Sequence, residues 1–219
     1  MQIRASIDQA MAQEAYTHSL QAYVEARIPA LHPAIKIPDH DQPEYLIHFI
    51  TQYIDHVPDF LEALIELTKS AGIYDSLQHL IEIAQSYFLN PPELVKQHVG
   101  LHALIDEAYL AHRLMEEVND RMMMSCGLPL IPMDMTLSNL VVHNLLGDDF
   151  ANQLDLTVHY SVESLFEQHH MDNSLRLKNY LSLHKTEGWD EMLAEWPCLA
   201  GDLSIELNLD YRPEPGALH

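Results

Sequence analysis

Apolar residues recur every three or four positions through most of this 219-residue chain, a spacing that gathers them on one side of an α-helix. The longest such stretch extends from Pro92 to Cys126. Proline suits the first turn of a helix, and Gly127 and Pro129 end the pattern, so the spacing predicts one long helix over this range. We expect the other elements to pack around this helix.

The same periodicity predicts seven further helices. Four prolines between residues 29 and 43 exclude a helix there, and Pro58 is expected to break or kink the chain. The seven predicted helices are Ser6–Ile28, Pro43–His56, a helix that follows Pro58 and ends at Ser70, Ile73–Leu89, Thr136–Leu146, Asp149 to about His169, and Asn173–His184.

The C-terminal segment has a different pattern. Residues 203–209 alternate strictly between apolar and polar side chains, which is typical of a strand. A lone strand needs a partner, and either Gln2–Ala5 or a second copy of the chain could supply one. We therefore predict an all-α bundle of about eight helices over residues 1–200, followed by an extended tail over residues 201–219.

Polar residues also follow a helical spacing in the helix predicted from Asp149 to His169. They occur one turn apart, on the side away from the apolar residues of that helix. The pattern predicts a polar ladder, whose members are Asp155, His159, Glu163, Glu167 and His170.

The charge of the chain narrows the set of binding partners. Asp and Glu number 33 against 11 Lys and Arg, which gives a formal net charge of -22. Such a surface repels nucleic acid and anionic membranes, and it attracts cations and basic proteins. The acidic residues have a second interpretation, in which they form a coat that only keeps the protein solvated.

The remaining composition indicates a folded cytoplasmic protein. Hydrophobic residues make up 47% of the chain, so we expect little disorder. Cys126 and Cys198 are the two cysteines, they form no CxxC pair, and free thiols suit a reducing compartment. The N-terminus has no apolar segment typical of a signal peptide, and no run of about 18 apolar residues predicts a membrane span.

The sequence lacks the motifs of several enzyme classes. There is no GxGxxG, Walker loop, GxSxG or HExxH sequence, so nucleotide-dependent and serine-hydrolase chemistry has no support. The ferritin-type di-iron pattern needs two ExxH sequences facing inward, and the chain has one, which begins at Glu167.

Histidines on the longest predicted helix are the remaining candidates for a site. His98 and His102 lie one turn apart, as do His112 and Glu116, and such a spacing lets two side chains reach one cation. The two pairs would be separated by roughly 21 Å at 1.5 Å per residue, so they cannot share an ion. Isolated pairs of this kind also arise by chance in a chain with 15 histidines.

We therefore predict a metal-binding helical bundle with His98, His102, His112 and Glu116 as ligands. Imidazole and carboxylate groups with open positions suit a divalent ion such as iron, and a non-haem iron oxidoreductase is the sharpest form of this hypothesis. The alternative is a non-enzymatic acidic protein that binds a basic partner or forms a homodimer through its tail strand.

Overall fold

The computed structural model of the protein describes residues 2–38, 40–95, 100–168, 174–187 and 205–207. Within these ranges the chain forms eight α-helices and one short two-stranded sheet, so the all-α prediction is confirmed. The helices are α1 (Gln2–Thr17), α2 (Ser19–Arg27), α3 (Gln42–Ser70), α4 (Tyr74–Leu89), α5 (Leu101–Cys126), α6 (Thr136–Leu146), α7 (Asp148–Glu167) and α8 (Leu175–Glu187). A 3-10 helix spans Ile28–Ala30, and the strands are β1 (Ile35–Lys36) and β2 (Glu206–Leu207).

Helix α5 lies at the centre of the bundle. It contacts α1, α2, α3, α4, α6 and α7, and 16 of its 26 residues are buried. Its buried set includes side chains on more than one face, because neighbouring helices surround it. The expectation that the chain packs around this helix is confirmed.

The start of α5 differs from the prediction. The helix begins at Leu101 and not at Pro92, since Gly100 precedes it with φ 78° and ψ −155°, a conformation that is open mainly to glycine. Residues 93–95 form a separate turn. His98 lies outside the described residues, so its predicted place on this helix is neither confirmed nor contradicted.

The predicted helix from Ser6 to Ile28 is divided into two. His18 takes a left-handed conformation with φ 50°, which ends α1 and turns the chain into α2. The carboxylate of Glu14 accepts hydrogen bonds from the Ser19 hydroxyl at 2.7 Å and from the Leu20 amide at 2.8 Å. It thereby supplies a side-chain cap for amides at the start of α2 that no helical carbonyl can reach.

Helix α3 continues through Pro58, so the expected break is absent. Buried Val57, Phe60 and Leu61 surround the proline, and their packing outweighs the one backbone hydrogen bond that proline removes. At 29 residues α3 is the longest helix. Neither α3 nor another helix of the described ranges has the length and apolar character needed to cross a membrane.

The tail strand pairs within the chain. β2 is antiparallel to β1, with Leu207 opposite Ile35 and Glu206 opposite Lys36. The prediction that Gln2–Ala5 supplies the partner strand is wrong, because those residues form the first turn of α1. Residues 208–219 lie outside the described ranges, and a homodimer stays a prediction.

Candidate functional site

The predicted ligand His112 is a core residue. Its side chain is fully buried, with its ring centroid 4.3 Å from that of Tyr53, 5.2 Å from that of Phe60 and 5.3 Å from that of His56. Nε2 donates a hydrogen bond to the Tyr53 carbonyl at 2.9 Å, since the carbonyl can only accept. Burial lowers the pKa of His112 well below its ordinary value, and the nearby His56 lowers it further, so the ring is neutral at neutral pH.

Glu116 lies in a different environment from its predicted partner His112. Its Oε2 accepts hydrogen bonds from Arg113 Nη1 and from Asn139 Nδ2, each at 2.5 Å. Its carboxylate is therefore neutralised by a guanidinium and bound to an amide. This makes Glu116 part of a polar network rather than half of an isolated pair.

Of the two other predicted ligands, His98 lies outside the described residues, and His102 lies in a different place from His112 and Glu116. The ring of His102 lies against that of Tyr23 on α2, with 3.9 Å between their centroids. In the described part of the chain no three His, Cys, Asp or Glu side chains come together as a metal site would require. The metal-binding hypothesis stays a prediction that this geometry does not strengthen.

Metal analysis tests that hypothesis directly. If it is right, the protein as purified contains near-stoichiometric transition metal, and His112→Gln or Glu116→Gln releases it, because each removes a ligand atom. The measurement is elemental analysis by mass spectrometry after dialysis. His159→Ala, which removes an exposed imidazole outside the predicted set, is the control. If the metal concentration in the wild-type sample is no higher than in the dialysis buffer, the metal-binding hypothesis is wrong.

A polar network joins four helices, α3, α5, α6 and α7, beside Glu116. On α5, Arg113 Nε donates to Asp155 Oδ1 of α7 at 2.9 Å, and the hydroxyl of Tyr109 donates to the same oxygen at 3.0 Å. On α6, Asn139 accepts a hydrogen bond from the buried Tyr53 hydroxyl at 2.6 Å. Each charged or amide group is thus held by at least two helices, which fixes its position.

The network also fixes the orientation of His143 on α6. Its Nδ1 lies 2.9 Å from the Tyr109 oxygen. The single hydroxyl hydrogen of Tyr109 is directed to Asp155, so Nδ1 of His143 carries a hydrogen and donates it to the Tyr109 oxygen. This assignment leaves Nε2 of a neutral ring with its lone pair, on the side where Asp148 Oδ1 lies 3.6 Å away.

Two cavities meet at His143 and Leu140. The smaller, of about 290 Å³, is lined by the network residues Tyr109, Arg113, Glu116, Asn139, His143 and Asp155, together with Thr136 and Leu140. The larger, of about 590 Å³, is lined by His32, Ala34, Ile35, Leu140, His143, Asn144, Asp148, Asn152 and Leu207. Because Tyr109 lines one cavity and Asp148 the other, the His143 ring spans the wall between them, with Nε2 toward the larger.

The polar ladder predicted on α7 faces α5 in part. Asp155 pairs with Arg113, His159 Nδ1 lies 3.0 Å from Glu117, and Glu163 pairs with Arg121. Because both sets advance by four residues, α5 and α7 run parallel with their polar edges facing each other. Of the two remaining members, Glu167 is exposed and His170 lies outside the described residues.

Burial of the network has consequences for ionisation. Desolvation, together with the Asp155 charge, raises the pKa of Tyr109 well above its ordinary value, so its hydroxyl stays protonated. Desolvation also opposes the charge of Arg113, but the hydrogen bonds and charges of Asp155 and Glu116 outweigh it and raise the pKa of Arg113. Tyr109 and Arg113 therefore keep their hydrogen-bond donors across the neutral pH range.

Comparisons with known proteins add no assignment: no protein-family model, no curated protein and no solved structure matches the chain. The site is therefore interpreted from its own chemistry. Sequence reasoning identified Glu116 and placed Asp155 in a polar ladder, but it missed Arg113, Asn139 and His143. Their contacts link residues up to 86 positions apart, and a helix wheel for one segment contains no information about such distances.

Proposed function

We propose that this protein binds a small polar ligand in the paired cavities between α5, α6 and α7, with His143 as the hydrogen-bond acceptor that faces the ligand. One observation carries this proposal. The Tyr109 hydroxyl, itself hydrogen-bonded to Asp155 and thereby linked to Arg113, contacts one ring nitrogen of His143, while the other ring nitrogen has its lone pair toward a cavity. An acceptor fixed in this way loses little conformational freedom when a ligand binds.

The size and lining of the cavities support a ligand of modest size. The larger cavity, at about 590 Å³, lies within the range of about 300–1,000 Å³ typical of small-molecule sites. Its wall combines apolar side chains with a few polar groups, which is the usual composition of such sites. The neighbouring network supplies rigid support at the shared wall.

The network would have a simpler role if it only held its four helices together. In that case substitutions at the cavity wall would change stability and nothing else. Leu140 separates the two roles, because it lines both cavities and is 43% exposed, so a larger side chain there fills the cavities without disturbing the core.

Leu140→Trp is expected to abolish ligand binding and to leave the fold intact. The measurement is ligand-observed NMR with a set of small alcohols, amides, carboxylates and amines. Leu156→Trp on α7 is the matched control, because Leu156 is 51% exposed and lines neither cavity. Fragments that bind the wild type and the Leu156 variant, but neither Leu140→Trp nor His143→Phe, would support the proposal. If every binding fragment binds all four proteins equally, the proposal fails.

A further inference from the structure

We propose that the ligand is a small primary amine with an apolar body, whose ammonium group lies between His143 Nε2 and Asp148 Oδ1. This inference rests on the proposed ligand-binding function and adds the chemical class of the ligand. It is carried by the polar atoms that face the larger cavity and by the apolar side chains around them.

The two acceptor atoms are placed for a shared donor. Nε2 of His143 and Oδ1 of Asp148 are 3.6 Å apart, and in the assigned tautomer neither atom carries a hydrogen. No described residue donates a hydrogen bond to either of them. A group with several N–H bonds at one atom can donate to both, and a primary ammonium has three such bonds.

The carboxylates of the smaller cavity, unlike Asp148 in the larger one, already have a cationic partner. There the carboxylates of Glu116 and Asp155 already share a cation, since Arg113 bonds to both. The larger cavity has the carboxylate of Asp148 and the lone pair of neutral His143, and no described Lys or Arg pairs with either of them. An amine ligand would take the role at Asp148 that Arg113 takes at Glu116 and Asp155.

Apolar side chains define the rest of the ligand. Ala34 and Ile35, Leu140, and Leu207 come from three parts of the chain and line the same cavity as Asp148. They offer no hydrogen bonds, so a ligand that extends along them from its ammonium group must be apolar there. A polyamine would bury a second charge against this wall and fits less well.

Other charges near the larger cavity also affect its affinity for an ammonium group. Arg27 is the closest guanidinium to the Gly147 turn, but it donates to the carbonyls of Asn144 and Leu145 at the C-terminal end of α6. That end of the helix carries partial negative charge, which offsets the arginine. The net charge of -22 also raises the local concentration of cations.

Benzylamine is a suitable probe, with benzyl alcohol as its uncharged counterpart. Titration calorimetry at low salt is expected to show that benzylamine binds the wild type more tightly than benzyl alcohol does. Asp148→Asn is expected to weaken benzylamine binding about three- to fivefold, a modest factor because the Asp148 side chain is 78% exposed and screened by water. Asp149→Asn removes the same charge one residue away, outside the cavity, and should leave the affinity within about 1.5-fold.

The outcomes separate this inference from the function on which it rests. If fragments bind in a manner sensitive to Leu140→Trp but benzylamine binds no better than benzyl alcohol, the amine class is wrong and ligand binding stands. Equal losses in the Asp148 and Asp149 variants would show attraction to the acidic surface, which also overturns the inference. If Zn²⁺ alone binds through His143 and Asp148 and benzylamine does not compete with it, the pair is a metal site instead. If no probe binds, both proposals fail.

Discussion

Asn119→Ala is expected to lower the free energy of unfolding by about 3–5 kcal/mol. On α5, Asn119 Oδ1 accepts hydrogen bonds from the amides of Leu130 at 2.9 Å and Ile131 at 3.1 Å, and its Nδ2 donates to the Ile131 carbonyl at 2.9 Å. All three contacts are buried. Alanine leaves the amides of Leu130 and Ile131 without an acceptor, whereas the Ile131 carbonyl keeps the hydrogen bond from the Met133 amide at 2.9 Å. Each unpaired buried amide costs about 1–3 kcal/mol.

The hydrogen bonds lost with Asn119 hold the segment that connects α5 to α6. This connection places Leu130, Ile131 and Met135 in the core, each 1% exposed. Urea denaturation measures the stability change, and hydrogen exchange at the Leu130 and Ile131 amides should lose protection in the variant. Asn179→Ala, at an exposed position of α8, is the control and should change stability by less than about 0.5 kcal/mol. A loss below about 1 kcal/mol at Asn119 would contradict the expectation.

Glu107→Gln is expected to stabilise the protein at pH 8 by an amount on the order of a few kcal/mol. Glu107 on α5 is 8% exposed, and its Oε2 is buried without a hydrogen-bond partner among the described residues. Burial, with a smaller contribution from the charge of Asp106, raises the pKa of Glu107 from 4.5 to about 8. Glutamine has nearly the same shape as the protonated carboxyl and carries no charge at any pH.

The sign of the pH dependence follows from proton binding. Between pH 4.5 and about pH 8 the folded protein holds a proton at Glu107 that the unfolded chain has released. This stabilisation is complete below pH 4.5 and is lost as the pH rises through about 8, at about 1.4 kcal/mol for each pKa unit of difference. The variant lacks this loss, so the two proteins should have similar stability near pH 4.5 and diverge toward pH 8.

Urea denaturation of both proteins across this pH range measures the divergence. His112 works in the opposite direction, because its lowered pKa means that the unfolded chain binds a proton that the folded one does not, and stability falls as the pH drops below its usual pKa. That contribution is common to both proteins and cancels in the difference. Glu66→Gln, an exposed position on α3, is the control. Parallel curves for the wild type and Glu107→Gln would contradict the prediction.

Side-chain periodicity alone determined the class of fold and most of the helices. Thr136–Leu146 agrees with α6 at both ends, because Gly147 stops the helix locally. Three boundaries failed where local preference and packing compete, at His18, Pro58 and Gly100. At Pro58 the packing of neighbouring apolar side chains keeps the helix intact in spite of the proline. At Gly100 the positive φ that glycine readily adopts precedes the start of α5.

The site depended on information that the sequence pattern lacks. The spacing of four residues between His112 and Glu116 correctly places them one turn apart on α5, but their partners come from α3 and α6. The sequence pattern placed the ladder beginning at Asp155 on the side of its helix away from the apolar residues, yet part of it pairs with α5. Which helix lies opposite a polar edge is set by the packing of the whole chain.

The sequence by itself determined an acidic, all-α chain organised on one long buried helix, because hydrophobic spacing and charge are local properties. Only the tertiary structure decided that Tyr109 and Arg113 of α5 meet His143 and Asp155, and that Glu116 meets Asn139. It also decided that His143 spans the wall between two cavities. These are distances between helices, and they follow from the requirement that all apolar faces be buried at once.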